Sequence, residues 1–231
     1  MSQLGHLLLD PNSEMGEITE LLRRDTALTA RIIRISNSAF YNSGQPYGTL
    51  DEALARVGYM EVYRLTGLAA VSQMSDHELL LYGITGAQLR ENSLLTALVM
   101  EALANRAQID SRLAYTAGLL RSVGKIALDR LTRSGSYNGS YKGRDNGRLG
   151  DWETQFVGMN NCEAAAVILK EWRFPLTTIA GIRDHYLGSP NASPLAQLLN
   201  LAAGAAERGG HGFPGETDYW TGSLAACRDL S

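Results

Sequence analysis

The chain is poor in the features that fix many functions. It has two cysteines in 231 residues, Cys162 and Cys227. They are far apart and not in a Cys-x-x-Cys pair, so a disulfide framework is excluded, at most one bridge can form, and a reduced setting fits better. Lysine occurs only at 125, 142 and 170, so nearly every basic residue is arginine. The formal charge of −3 argues against a strongly basic nucleic-acid surface and against an acidic solvating tail. No apolar run approaches the roughly 18 residues that span a bilayer. The start lacks a basic n-region, and Leu7-Leu8-Leu9 is too short for a signal core. Gly-x-Ser-x-Gly and Walker-type glycine loops are absent. The expectation is a soluble cytoplasmic protein that contacts neither membrane nor DNA.

What is present is helical periodicity. Leu28, Ile32 and Ile35 recur at i, i+4 and i+7 behind Asp25 as N-cap. Thr49 with Glu52 forms a capping box for a helix ending near Gly58, and residues 61–71 read as another helix. A second box, Thr85 with Gln88, starts a long helix whose apolar face includes Leu95, Leu98, Val99, Ala102 and Leu103. Asp110 caps the next, expected to continue to residue 131 and to bury Leu113, Ala117, Leu120, Gly124, Ala127, Leu128 and Leu131. Residues 132–150 are rich in Gly, Ser, Asn and charge and read as a mobile surface loop. Their mixture of Tyr, Arg and Gly is only superficially like a phosphate or single-strand nucleic-acid contact. Asn160 with Glu163 opens an amphipathic helix through Ala164, Ala165, Ile168, Leu169 and Trp172. Pro175 and Ser193-Pro194 mark two further starts. From Gly209 the tail is Gly-rich, with a short helical candidate at 224–228. No stretch combines period-two alternation with β-branched enrichment, so the predicted fold class is all-α.

One short stretch is more specific. Residues 117–128 read Ala-Gly-Leu-Leu-Arg-Ser-Val-Gly-Lys-Ile-Ala-Leu, which resembles the Gly-Leu-Leu-His-Asp-hydrophobic-Gly-Lys helix of the HD phosphohydrolase superfamily. In that motif the adjacent His and Asp bind a divalent metal. Here Arg121 and Ser122 stand in their places. The run from Asp25 through Asn37-Ser38-Ala39 to Tyr41 resembles the signature of HDOD domains, bacterial signalling modules related to HD-GYP proteins. Leu50–Gly58 and Ala164–Pro175 match the same family. The four segments lie in the family order and cover roughly residues 5–210. The chain departs from the usual pattern at Thr26, where Pro is common, and at Ser36, which replaces Ala.

The resemblance implies an HDOD-type helical bundle: an N-terminal helical subdomain, 1–80, packed on a degenerate HD-like core, 81–231. It also locates the metal ligands that are missing. The upstream His would lie near Asn92-Ser93, Asn161 replaces the downstream His, and a His-His pair is reduced to His185-Tyr186. A late Asp is replaced, with Ala203 at the expected position. A guanidinium about 5 Å from a divalent ion, at an effective dielectric of roughly 20, would be repelled by about 6–7 kcal/mol, an upper bound because Arg121 is long enough to swing outward. One imidazole without carboxylate partners cannot hold the ion and activate its water.

The implied function is therefore a non-catalytic bacterial regulatory module that acts through protein–protein contacts with signalling proteins, with no catalytic residue, metal or cofactor. The alternative is a nucleotide or cyclic-dinucleotide sensor that uses the emptied cleft, because a guanidinium suits phosphate better than it suits a metal. A third reading, residual phosphodiesterase activity, would need an unorthodox site. The candidate cleft or motif residues are Asn37, Ser38, Asn92, Arg121, Ser122, Lys125, Asn161 and His185. Against a functional role, Asn37 reads better as a helix end that tolerates the left-handed conformation. His185 reads as an ordinary satisfied or exposed side chain, and Cys162 has no evident base partner.

Overall fold

Five helices begin where a side chain accepts hydrogen bonds that the first N–H groups cannot make within the helix. The computed structural model describes residues 15–24, 26–37, 44, 46, 48–57, 77–135 and 139–220. The chain divides into two compact units, 1–73 and 74–231. In the first, α1 (Met15–Arg24) packs on α2 (Thr26–Ser36), and α2 on α3 (Leu50–Val57). Leu22, Ile32, Leu50 and Ala53 are buried, and the Thr29 hydroxyl donates to the Leu22 carbonyl at 2.5 Å, tying α2 to α1. Thr49 and Glu52 cap α3 reciprocally, each backbone N–H donating to the other's side chain at 3.2 Å. Asn37 ends α2, its N–H donating to the Ile33 carbonyl at 3.0 Å. Among the described residues, Gln108 and Arg173 are the non-glycine positions with positive φ. Asn37 thus closes its helix without the left-handed conformation expected of it. Asp25, Ser38, the side chains of Leu28 and Ile35, and the helix expected at 61–71 lie outside the described residues.

The second unit contains α4 (Gly86–Ala107), α5 (Ser111–Leu120), α6 (Val123–Ser134), α7 (Leu149–Val157), α8 (Asn161–Glu171), α9 (Leu176–Asp184) and α10 (Pro194–Ala206). The boxes Thr85/Gln88 and Asn160/Glu163 form, and Asp110 and Ser193 cap α5 and α10. Pro175 stands one residue before α9 as its N-cap rather than within its first turn. Helix α4 packs on α5 and α10, α6 packs on α8, and α9 packs on α8 and α10, with α5 touching α9 and α10. Among the described residues, extended pairing is confined to one antiparallel bridge, Leu79–Ile84. None of their helices is long and apolar enough to cross a membrane.

Two buried faces differ from the expected ones. The helix capped by Asp110 does not continue to residue 131; it stops at Leu120, turns at Arg121-Ser122 and restarts at Val123. The turn resets the helical phase. Leu131 therefore becomes exposed, Leu113, Leu120 and Ala127 are half-buried, and Lys125, Ile126 and Asp129 point inward. On α4, Leu95, Leu98, Val99 and Leu103 are only half-buried and Ala102 is exposed. The buried face is Leu89, Asn92, Ser93, Thr96, Ala97, Met100, Glu101 and Ala104. Close helix approach explains it: a Cβ on Gly118 would lie 2.7 Å from the Ala97 Cα, so α4 and α5 meet through small side chains. Gly124 is tighter still, since its Cβ would fall 1.8 Å from the Asn161 carbonyl oxygen. The two glycines of the motif hold α5 against α4 and α6 against α8.

Within 132–150, α6 extends to Ser134 and Tyr141 is buried, its hydroxyl donating to the Gly147 carbonyl at 2.9 Å. The tail folds back as well. After a π-helical turn at Glu207–His211, the chain buries Phe213, Glu216 and Trp220. The candidate at 224–228 lies outside the described residues.

Candidate functional site

The turn at Arg121-Ser122, together with the inward face of α6, carries two cations into the interior of the second unit. Arg121 is 1% exposed and Lys125 is 0% exposed. Buried charges persist only when paired and hydrogen-bonded, and the partner is Glu216 from the returning tail. Arg121 binds it in a fork, Nη1 to Oε1 at 3.1 Å and Nη2 to Oε2 at 3.0 Å. Lys125 Nζ lies 3.1 Å from Oε1. The Tyr186 hydroxyl donates to the same oxygen at 2.5 Å and accepts from Lys125 at 2.9 Å. Arg121 Nη2 also donates to Asn92 Oδ1 at 2.8 Å, and Asn92 Nδ2 donates to the His211 carbonyl at 2.5 Å. The Arg121 guanidinium lies 5.2 Å from the Phe213 ring centroid and 5.8 Å from that of Trp220. The guanidinium does not swing outward; it is clamped.

A second buried carboxylate lies alongside. Glu153, on α7, accepts from the Asn161 backbone N–H at 2.8 Å and from the Tyr82 hydroxyl at 2.7 Å. Asn161 Nδ2 donates to both Glu153 oxygens, at 3.1 and 2.9 Å, and approaches the Tyr186 hydroxyl at 3.4 Å. Two buried cations thus face two buried carboxylates in one connected network. Its electrostatics follow. Burial alone would raise the pKa of Glu216, but Arg121 and Lys125 outweigh it and hold the carboxyl at about 2. Burial opposes the charge of Arg121, and Glu216 more than offsets this, leaving its pKa raised. Burial, then Glu216, pushes the Tyr186 phenol well above its usual range, so it stays a donor.

His185 is buried at the end of α9, and its Nδ1–H donates to the Ile182 carbonyl at 2.6 Å. Burial, reinforced by Arg121, lowers its pKa to about 3, so the ring is neutral. Cys162 Sγ lies 3.7 Å from that same Nδ1, but a nitrogen that donates to a carbonyl cannot also take the thiol's proton. Burial pushes the thiol pKa up besides, so the pair is no nucleophile–base dyad. Asp184 does not orient the imidazole; it pairs with Arg183 at 2.6 and 2.7 Å. Asn200 Nδ2 holds the backbone on either side, donating to the His185 carbonyl at 2.7 Å and the Tyr219 carbonyl at 3.0 Å.

The structure therefore brings Asn92, Arg121, Lys125 and Asn161 into one network, with His185 beside it. Ser122 is buried, and its hydroxyl has no partner among the described residues. Asn37 lies in the first unit. The divalent ion of the HD superfamily does not fit these residues. One neutral imidazole is the sole former ligand type, two cations stand in the site, and its carboxylates are bonded to them or to Asn161 and Tyr82. Among the described residues, no three His, Cys, Asp or Glu side chains converge as a metal site would require.

Sequence reasoning missed Glu216, Glu153, Tyr186 and Tyr82. A signal for Glu216 was present: it and Asp218 are the two acids between Phe213 and Trp220, in a tail otherwise read through its glycines. A 290 Å³ cavity reaches the network at Cys162 and Tyr186 and opens past Arg148, Arg183 and Tyr219. A more apolar one of 630 Å³ lies against α10, lined by residues such as Ile109, Pro190 and Leu201.

Comparison with known proteins matches the chain to one family and several solved structures. A family model for the HDOD domain matches residues 1–187. An HDOD domain protein of unknown function from Geobacter sulfurreducens is 20% identical, with a TM-score of 0.70 over 92% of this chain and 72% of that one. A protein from Marinobacter aquaeolei, provisionally named for signal transduction, is 22% identical, with a TM-score of 0.70 over 92% of this chain and 49% of the other. A protein from Shewanella amazonensis, provisionally named a phosphohydrolase, is 22% identical, with a TM-score of 0.61 over 87% and 72%. At these identities the likeness establishes the fold. No curated protein matches the chain in sequence.

Proposed function

Because the chain belongs to the HDOD domain family, we propose that it is a non-catalytic bacterial signalling module, working in the cytoplasm through contacts with other signalling proteins. The observation that carries this reading is the Arg121–Glu216–Lys125 cluster in the place of the metal ligands. HD hydrolysis needs an ion that polarises phosphate and lowers the pKa of a bound water. A buried guanidinium locked to a carboxylate supplies neither an open coordination position nor a base. The provisional name of the Marinobacter neighbour agrees with signalling, whereas that of the Shewanella neighbour points to hydrolysis; the residues of this chain favour the former.

The test is metal content and turnover of the purified chain. Elemental analysis is expected to find well under one equivalent of Mn, Fe or Mg. Assays with bis-(p-nitrophenyl) phosphate and cyclic dinucleotides in those metals are expected to show no hydrolysis. Stoichiometric metal with turnover lost in His185→Ala would overturn the proposal. The second reading, a nucleotide sensor, would need a phosphate either to compete with the tethered Glu216 for both cations or to bind without them. The cavity beside Arg148 and Arg183 is where a nucleotide would then have to sit. Saturable calorimetric binding of a nucleotide, abolished by Arg148→Ala, would favour that reading.

A further inference from the structure

The segment that fills the site has the format of a docked recognition motif. It leaves α10 through the turn at Glu207–His211 and uses left-handed glycines at Gly210 (φ 86°) and Gly215 (φ 81°). Between and beyond them Phe213, Glu216 and Trp220 are buried, while Pro214, Thr217 and Asp218 are exposed. The turn at Pro214-Gly215 and the short helix at 217–220 carry the three buried side chains inward. All three converge on Arg121: Glu216 in a two-bond fork, Phe213 and Trp220 by cation–π contact. Two aromatic anchors and an acid read by an arginine fork are how short peptides are recognised by folded domains. The segment also lies beyond the residues that match the family model, 1–187.

We infer that Arg121, Lys125 and Tyr186 form a carboxylate-receiving docking site, with Phe213–Trp220 as its tethered ligand. A partner presenting an acidic residue between aromatics at the same spacing takes the segment's place. This rests on the reading of the chain as a contact module and names the chemistry of the contact. A ligand joined to α10 by so short a tether has an effective concentration on the order of millimolar or above. A free partner therefore competes only if the segment opens locally, without unfolding the unit. Local opening would not strand the cations, because Arg121 and Lys125 would meet water as the carboxylate left.

Two measurements on the full chain decide it. In native-state hydrogen exchange of the unaltered chain, amides of 216–220 are expected to exchange at least tenfold faster than those at the centres of α8 and α10. Exchange of all three at one common rate overturns the inference, and needs no variant. In the second, a fluorescein-labelled peptide of residues 207–220 is titrated into the chain carrying Glu216→Gln, where the resident ligand is weakened. Saturable binding is expected, at least tenfold weaker for the same peptide carrying Glu216→Gln. Equal binding of the two peptides, or none to a folded Glu216→Gln chain, overturns it. Turnover in the hydrolysis assay would sink the non-catalytic reading yet leave the exchange result standing, so the two failures are distinguishable.

Discussion

Arg121 and Lys125 are tolerated inside the unit only while Glu216 faces them. Removing one member of a buried ion cluster strands the others without water, typically at a cost of 3–5 kcal/mol. Glu216→Ala is therefore expected to lower the unfolding free energy by about 3–5 kcal/mol in urea titration. Glu216→Gln should cost less, because its amide oxygen still accepts from Arg121 or Lys125. A loss below about 1 kcal/mol for Glu216→Ala would show that the cluster is weaker than its geometry implies. Cys162 makes a second residue-scale test. With Cys227 replaced by Ala, the folded chain should resist thiol reagents and react only on unfolding, because the Cys162 thiol is buried and its pKa raised.

At the scale of elements, the motif glycines are packing residues. A methyl at position 124 would overlap the Asn161 carbonyl at 1.8 Å and approach the Ala165 nitrogen at 2.8 Å. Backbone cannot yield as a side-chain tip can, so Gly124→Ala should cost about 3 kcal/mol or more in thermal or denaturant unfolding. At the end of α8, Arg173 occupies the left-handed position (φ 58°) of a terminating turn in which Phe174 N–H reaches the Leu169 carbonyl at 2.9 Å. Arg173→Gly should raise stability by up to about 1 kcal/mol, with no change in the site. Helix starts were legible in the sequence because Thr49, Thr85, Asp110, Asn160 and Ser193 act on neighbours two or three residues away. The break at Arg121-Ser122 was not, since neither residue is a helix breaker and the turn is held by tertiary pairing. Nor was the buried face of α4 legible, because a close helix crossing selects small and polar side chains that mimic a solvent face.

For the whole molecule, acid should be the discriminating stress. His185 has a folded pKa of about 3 against an ordinary 6.5, so below that ordinary value the unfolded chain takes up a proton that the folded chain refuses. Its stabilising contribution is complete above pH 6.5 and is lost as pH falls toward 3. Glu216, at about 2 against 4.5, adds a loss of the same sign from pH 4.5 downward. Between pH 7 and 5 the stability should fall by about 2 kcal/mol from His185 alone, and a folded His185→Gln variant should show a flatter profile over that interval. Equal slopes would assign the acid sensitivity elsewhere. The position of the site was legible in the sequence from Asn92, Arg121, Lys125, Asn161 and His185. Its contents were not, because the counter-charge comes from a residue 95 positions beyond Arg121, and local pattern carries no trace of a partner so far along the chain.

That distance has a consequence for biosynthesis. An emerging chain that has made α5 and α6 holds two side chains that cannot yet be sealed from water, and it must wait until residue 216 clears the exit tunnel. Nascent chains arrested or terminated before that point should stay open to proteases and chaperones, so the aromatic-flanked glutamate doubles as a checkpoint for synthesis through residue 216.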